Sequence, residues 1–218
     1  MYRHRYLDAD PLNLPVGKIV CIGRNYLEHA RELNSTVPDM PILFMKPSTA
    51  LVGLDEAIKL PVGRGSCHHE VELAVLVGQR LCHASVESAR QAAIGYGIAL
   101  DLTLRDLQSE LKNKGYPWET AKAFDGACPL SPFLEPEKLP TPQATDLTLQ
   151  LNGELRQYGN TEQMMMGIFE LMAYISTQFT LLAGDVVLTG TPAGVGALAS
   201  GDQLTLGLGD YHFYARIA

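Results

Sequence analysis

Glu70 and Glu72 carry the strongest chemical signal in the sequence. They stand in Cys67 to Gly78, a run that reads as one strand. Side chains alternate along a strand, so Val71, Leu73, Val75 and Val77 share one face, while Glu70 and Glu72 share the other with Ala74 and Leu76. Two carboxylates on an otherwise apolar face repel each other and cost on the order of several kcal/mol to desolvate unless a cation joins them. Paired carboxylate oxygens suit a hard divalent ion such as magnesium, manganese or calcium. The competing reading leaves the pair solvated at an exposed strand end. Asp101 stands in a second apolar strand, Tyr96 to Leu102. If the two strands are neighbours it supplies a third carboxylate, and three on one side of an ion leave the remaining positions for water or a chelating substrate. Zinc ranks second, because the adjacent His68 and His69 point to opposite faces of a strand and no HExxH helix is present.

His29 and Glu32 lie three apart in a short helical pattern, Tyr26 to Leu33, and so are neighbours on one face. A carboxylate beside an imidazole fixes its tautomer and makes it a better base, as general-base catalysis requires. A solvated surface pair is the competing reading. Residues 34–41, with two prolines, end the helix, and helix and loop together could form a lid that orders over substrate. Lys46 ends the apolar strand Ile42 to Lys46, where it is either solvated or placed at a site mouth to bind an anionic substrate. Lys122, between Ala121 and Ala123 in a loop with the sole tryptophan, is a candidate for holding an anion or oxyanion. Thr189 to Gly196 is a Gly-rich turn at a strand end, with backbone N–H groups able to bind a carboxylate or oxyanion. It lacks the Gly-Lys-Ser/Thr ending of a P-loop.

The elements that must position these groups are mostly short strands. They are expected at 18–23, 42–46, 57–60, 96–102, 186–188, 203–208 and 211–217, and Asn152-Gly153 joins 147–151 to 154–158 in a type I′ hairpin. Helices are expected from Val86 to about Ile94 capped by Ser85, from Thr103 to Lys114 stopped by Gly115, and from Thr161 to about Leu182. Met164 to Met166 read as gap-filling core, and 129–142, with five prolines, as a connector. Residues 1–16 read as an edge segment. Many strands with about four helices, without regular alternation, give an α+β, β-rich class and exclude a doubly wound sheet.

Composition bounds the function. The chain has 218 residues, 46% hydrophobic and 19% charged, which is the make-up of one globular domain able to bury about 70% of its unfolded surface. A net charge of −7 argues against nucleic acid or an anionic membrane as partner. Cys21, Cys67, Cys82 and Cys128 form no CxxC pair and read as reduced core thiols. No apolar run reaches membrane-spanning length and no signal-type segment follows Met1, so a cytoplasmic location is expected.

Gly23-Arg24-Asn25-Tyr26, His29 to Glu32, His69 to Glu72, Asp101 to Gln108, Ala121 to Asp125 and Thr189 to Gly196 together resemble the motif series of the fumarylacetoacetate hydrolase family, in order over residues 17–218. The length is similar to that of the short acylpyruvase or fumarylpyruvate hydrolase-like members. The resemblance implies a mixed β-sandwich or β-roll catalytic domain over 17–218 with peripheral helices, an N-terminal segment at 1–16, and a homodimer. It implies magnesium or manganese held by Glu70, Glu72 and Asp101, in agreement with the reading from the residues. His29 with Glu32 would be the acid/base pair on the lid. Lys122 and Thr191 would face substrate, with Arg24, Gln108 and Lys46 as further contacts. The implied activity is hydrolysis of the C–C bond of an acylpyruvate, a small 2-oxo acid, to pyruvate and a carboxylic acid. His29 would take a proton from water, and Lys122 would stabilise the oxyanion that forms. Oxaloacetate decarboxylation, or isomerisation of a 5-carboxymethyl-2-hydroxymuconate-type substrate in aromatic catabolism, would use the same constellation. A 2-oxo acid sensing module would instead bind without metal or turnover.

Overall fold

The computed structural model describes residues 2–33 and 40–218, so the lid loop expected at 34–41 lies outside the described residues except for Met40 and Pro41. In chain order the strands are β1 (Ile19–Gly23), β2 (Ile42–Lys46), β3 (Leu51–Gly53), β4 (Cys67–His69), β5 (Val71–Val77), β6 (Ala93–Leu100) and β7 (Thr103–Leu104). They continue with β8 (Cys128–Leu130), β9 (Asp146–Leu151), β10 (Glu154–Asn160), β11 (Val186–Leu188), β12 (Gly196–Ala197), β13 (Gln203–Leu208) and β14 (Tyr211–Arg216). The helices are α1 (Leu27–Glu32), α2 (Val86–Ala92), α3 (Arg105–Lys114), α4 (Glu119–Lys122) and α5 (Ile168–Gln178).

A mixed seven-stranded sheet runs β2-β1-β11-β5-β6-β8-β3, with β1/β11 and β3/β8 parallel and the remaining pairs antiparallel. A four-stranded sheet, β10-β9-β13-β14, lies against it across β5 and β6, and a small third sheet runs β12-β4-β7. The fold is α+β and β-rich, with the helices outside. Strand alternation in β5 divides the core as expected. Leu73 and Val75 meet Leu147, Leu149 and Leu206 of the second sheet, whereas Ala74 and Leu76 face a separate cluster with Phe133. Glu70 and Glu72 stand on this second side.

The hairpin forms as predicted, with Asn152 and Gly153 both at positive φ, as a type I′ turn requires. Ser85 caps α2 through the Ser88 N–H at 3.1 Å, and Gly115 stops α3 in the left-handed region. Several expectations need correction. The single strand expected from Cys67 to Gly78 breaks at Glu70 into β4 and β5, which lie in different sheets. Residues 57–60 are not a strand, since Ile58 makes only a single bridge to Ile217. The Pro-rich connector begins with β8, where Pro129 is accommodated in a three-residue strand. The long helix expected from Thr161 begins only at Ile168, after a 3-10 turn at 161–163. The cause is tertiary: Met165 N–H donates to the Asn25 carbonyl and Met166 N–H to Asn25 Oδ1, both at 2.9 Å, which pulls 164–166 out of helical geometry. Met164 is buried as core, whereas Met165 is exposed.

The N-terminal segment covers the sheet, with Tyr2, Tyr6, Leu12 and Leu14 packed on the Phe133 cluster. His4 is fully buried there. Its Nε2–H donates to the Gly184 carbonyl at 2.9 Å, while its Nδ1 finds no partner among the described residues. Burial therefore lowers its pKa despite the Gly184 bond. The unfolded chain takes up a proton below a pH of about 6.5 that the folded chain refuses, so stability falls as pH drops, by up to about 1.4 kcal/mol per pH unit for this one group. Urea midpoints measured from pH 7.5 to 5.5 should show a smaller acid loss for His4→Gln than for the wild type. An unchanged slope would remove His4 as the cause.

Candidate active site

Glu70 and Glu72 bracket the start of β5, and Asp101 directly follows β6. The antiparallel register sets Val71 opposite Leu100, and the Asp101 N–H donates to the Glu70 carbonyl at 2.8 Å. The strand neighbourhood that the third carboxylate required is therefore formed. All three side chains are buried, and they offer ligand oxygens within 4.8 Å of one another. The burial is made tolerable by cations. Lys122, at the end of α4, donates to Glu70 Oε2 at 2.8 Å and to Asp101 Oδ2 at 2.5 Å, and Arg105, which opens α3, donates to Glu70 Oε1. Burial alone would raise the Glu70 carboxyl, but Lys122 and Arg105 overcome it and hold it well below the usual range. Burial would likewise lower Lys122, and Asp101 and Glu70 outweigh it and keep the ammonium charged. Glu72 has no such partner among the described residues. Burial, then Asp101, then Glu70 push its carboxyl well above the usual range, and its Oε2 accepts only the Gly190 N–H at 2.7 Å.

These residues fit a divalent ion. The donor set is three carboxylates, all hard oxygen, Glu72 is short of positive charge, and Asp101 Oδ1 is a buried oxygen without an aligned hydrogen bond, although the Lys46 ammonium stands 2.7 Å away. Magnesium or manganese matches this chemistry better than zinc. His69 faces away, its Nδ1 joined to Gln157 Oε1 at 2.8 Å.

His29 and Glu32 also meet as a pair. His29 is buried on α1 and its Nδ1 lies 3.1 Å from Glu32 Oε2, whose other oxygen accepts the Gly194 N–H at 3.0 Å. The Gly-rich turn binds carboxylates as anticipated, but they are the protein's own, Glu72 at Gly190 and Glu32 at Gly194. Both glycines are obligatory. Each has φ near +100°, and a Cβ on Gly194 would stand 1.9 Å from the Arg156 carbonyl oxygen. One cavity is lined by His29, Glu70, Glu72, Asp101, Lys122 and Thr191 and extends to Arg24, Arg105, Gln108 and Lys112. Arg24 holds a positive φ of 64°, strain of the kind retained at functional sites. Lys46, expected to face substrate, does not line this cavity. It is fully buried behind Asp101 and donates to the carbonyls of Lys122 and Ala127, so it braces the site from below.

Several contributors carry no role that the sequence alone assigns. Asn25 anchors the base of α1, its Nδ2 donating to the carbonyls of Met166 at 3.0 Å and Thr189 at 2.9 Å. Arg105 lies within one of the family-like motifs, yet only its contact with Glu70 shows what it does. Gln157 is fully buried and satisfied at both ends. Its Oε1 accepts from Val71 N at 3.1 Å, and its Nε2 donates to Thr191 Oγ1 and the Pro192 carbonyl, both at 2.8 Å. It thus ties the Glu-bearing strand to the Thr191 turn. A β-bulge between Leu155 and Gln157 turns the glutamine inward and leaves Leu155 exposed, and no spacing in the sequence signals that.

The mixed sheet backed by a second sheet thus carries a buried carboxylate triad and a His-Glu pair, and the chain belongs to the fumarylacetoacetate hydrolase family: the family described as fumarylacetoacetate (FAA) hydrolase C-terminal matches residues 18–212. Within it, the chain is similar to oxaloacetate tautomerase YcgM of Escherichia coli K12, with 51% identity over 218 residues and all of both chains covered. A fumarylacetoacetate hydrolase family protein from Yersinia pestis CO92 superposes with a TM-score of 0.98 at 49% identity, covering all of both chains. Fumarylpyruvate hydrolase from Pseudomonas aeruginosa, solved with Mn2+ and pyruvate, superposes with a TM-score of 0.93 at 33% identity, covering 100% of this chain and 95% of that one. No helix among the described residues is long and apolar enough to cross a membrane.

Proposed function

We propose that the protein is a divalent-metal-dependent oxaloacetate tautomerase, interconverting the keto and enol forms of a small 2-oxo diacid. The observation that carries this reading is the full-length, 51% identity to the E. coli tautomerase, joined to a site in which a His-Glu pair shares a cavity with the triad. Charge balance supports a dianionic substrate. Once the dication is bound and Glu72 is ionised, the three carboxylates equal Lys46, Lys122 and Arg105, and the dication is balanced by a dianionic substrate.

Glu70, Glu72 and Asp101 would hold magnesium or manganese. When bound, the ion supplies Lewis-acid polarisation of the 2-oxo group, which acidifies the C3 protons. Glu32 keeps the proton on His29 Nδ1 and leaves Nε2 as the base. His29 takes a proton from C3, the C3–H electron pair becomes the C2–C3 double bond as the C2=O π pair moves onto oxygen, and the proton held by His29 passes to that oxygen to complete the enol. The reverse path moves the same protons back. Thr191, fixed by Gln157, presents its hydroxyl to the substrate.

The second reading is hydrolysis of an acylpyruvate, favoured by the similarity to the Pseudomonas hydrolase. There His29 would deprotonate water and not carbon. A spectrophotometric assay of oxaloacetate enol–keto conversion, run beside pyruvate release from fumarylpyruvate and acetylpyruvate with magnesium, manganese or EDTA, separates the two. Metal-dependent, EDTA-abolished tautomerisation as the fastest activity is expected. Fumarylpyruvate cleavage with tautomerisation at the uncatalysed rate would replace this reading with the hydrolase.

A further inference from the structure

We propose that Lys112 is a specificity-determining residue. With Arg24, its ammonium forms a subsite for a second carboxylate at the far end of the substrate, so the site selects 2-oxo dicarboxylates over monoacids of equal length. The inference rests on the assignment of this cavity to a 2-oxo acid.

Lys112 follows Gln108 by four residues on α3, so the two project from the same helix face into one cavity. The other cations of this site are engaged. Arg105 donates to Glu70 and to Gln108 Oε1, the latter at 2.7 Å, and Lys122 is held between Glu70 and Asp101. Lys112 is half-buried and has no ion-pair or hydrogen-bond partner among the described residues. Among the described residues the charges that act on it are like charges: burial first, then Arg24 and Arg105, disfavour its ammonium. A cavity that brings Lys112 beside Arg24 and Arg105, and leaves its ammonium without a partner among the described residues, offers an anion site there. The carboxylate triad lines the same cavity. A ligand whose carboxylate and 2-oxo oxygens sit at the triad therefore extends its other end toward Lys112 and Arg24. For oxaloacetate that end is the C4 carboxylate. A monoacid ends there in a methyl group, which leaves the Lys112 ammonium uncompensated.

The test uses two unreactive ligands that differ only at this end, (S)-malate and (S)-2-hydroxybutyrate, with oxalate to probe the triad alone. Affinities are measured by calorimetry on magnesium-loaded wild type, Lys112→Met and Lys112→Arg. The wild type should favour malate by roughly tenfold or more, the size of one charge-assisted contact. Lys112→Met should lose roughly tenfold for malate while oxalate and 2-hydroxybutyrate stay within about twofold, and Lys112→Arg should restore the preference. Equal affinities in the wild type, absence of malate binding to it, or parallel loss of all three ligands in Lys112→Met would each overturn the proposal. A wild type that prefers malate but does not tautomerise oxaloacetate would sink the proposed reaction and leave the subsite standing.

Discussion

Glu72→Gln is expected to abolish productive metal binding without unfolding the protein. Burial and the neighbouring Asp101 and Glu70 push the metal-free Glu72 carboxyl well above its usual range and so favour the neutral acid, for which glutamine is a close isostere. The Gln amide oxygen can still accept the Gly190 N–H that Glu72 Oε2 accepts at 2.7 Å. The melting temperature of the metal-free variant should therefore stay within a few degrees of wild type, because no buried charge is stranded and no cavity is made. The variant cannot, however, supply an anionic oxygen. Changes to groups that merely support a metal ligand already cost about ten- to a hundredfold in affinity, so loss of a ligand itself should weaken Mn2+ binding by about a hundredfold or more. Paramagnetic titration with Mn2+, read beside the thermal melt, measures both quantities at once. Wild-type Mn2+ affinity in Glu72→Gln would remove Glu72 from the metal site. A collapsed melt with retained affinity would recast it as a structural acid.

His29→Ala should show the complementary pattern, with metal affinity retained and turnover lost. His29 makes no bond to Glu70, Glu72 or Asp101. Its partner is Glu32, which is tied in turn to Gly194. Removing a positioned base costs roughly a hundred- to ten-thousandfold in rate. Glu32→Gln should cost less, because the ring remains and only its orientation and tautomer are released. Rates of enol–keto conversion at saturating oxaloacetate, with Mn2+ affinity measured on the same preparations, distinguish a proton-transfer role from a collapsed site. Turnover within about threefold of wild type in His29→Ala would end the assignment of the base.

Physical conflict makes the triad readable in the chain itself. Two glutamates interrupting an apolar strand, and an aspartate closing another, cannot be buried alone, so their type and period already demand a cation. Local chemistry likewise settles the Asn152-Gly153 turn, the Ser85 cap and the Gly115 stop, since each depends only on residues adjacent in sequence. Pairing of β5 with β6 is required by the triad and is present.

Long-range contacts govern the rest. Lys46 reads locally as a strand end that could face solvent or substrate, and only the return of 122–127 beneath Asp101 makes it a buried brace. Gln157 looks like an ordinary polar residue of a hairpin strand until a bulge rotates it toward His69, Val71 and Thr191. Helical propensity after Thr161 yields to Asn25, from a segment more than a hundred residues earlier, whose hydrogen bonds delay α5 to Ile168. Lys112 shows nothing on α3 that assigns it a role, and the fold brings Arg24 beside it while leaving its ammonium without a partner among the described residues. Residue type and spacing thus establish which groups need a partner, because desolvation and backbone geometry act on each residue where it stands. Which partner each receives is settled by the folded arrangement, because charge pairing and hydrogen bonding act through space between segments whose approach no local pattern encodes.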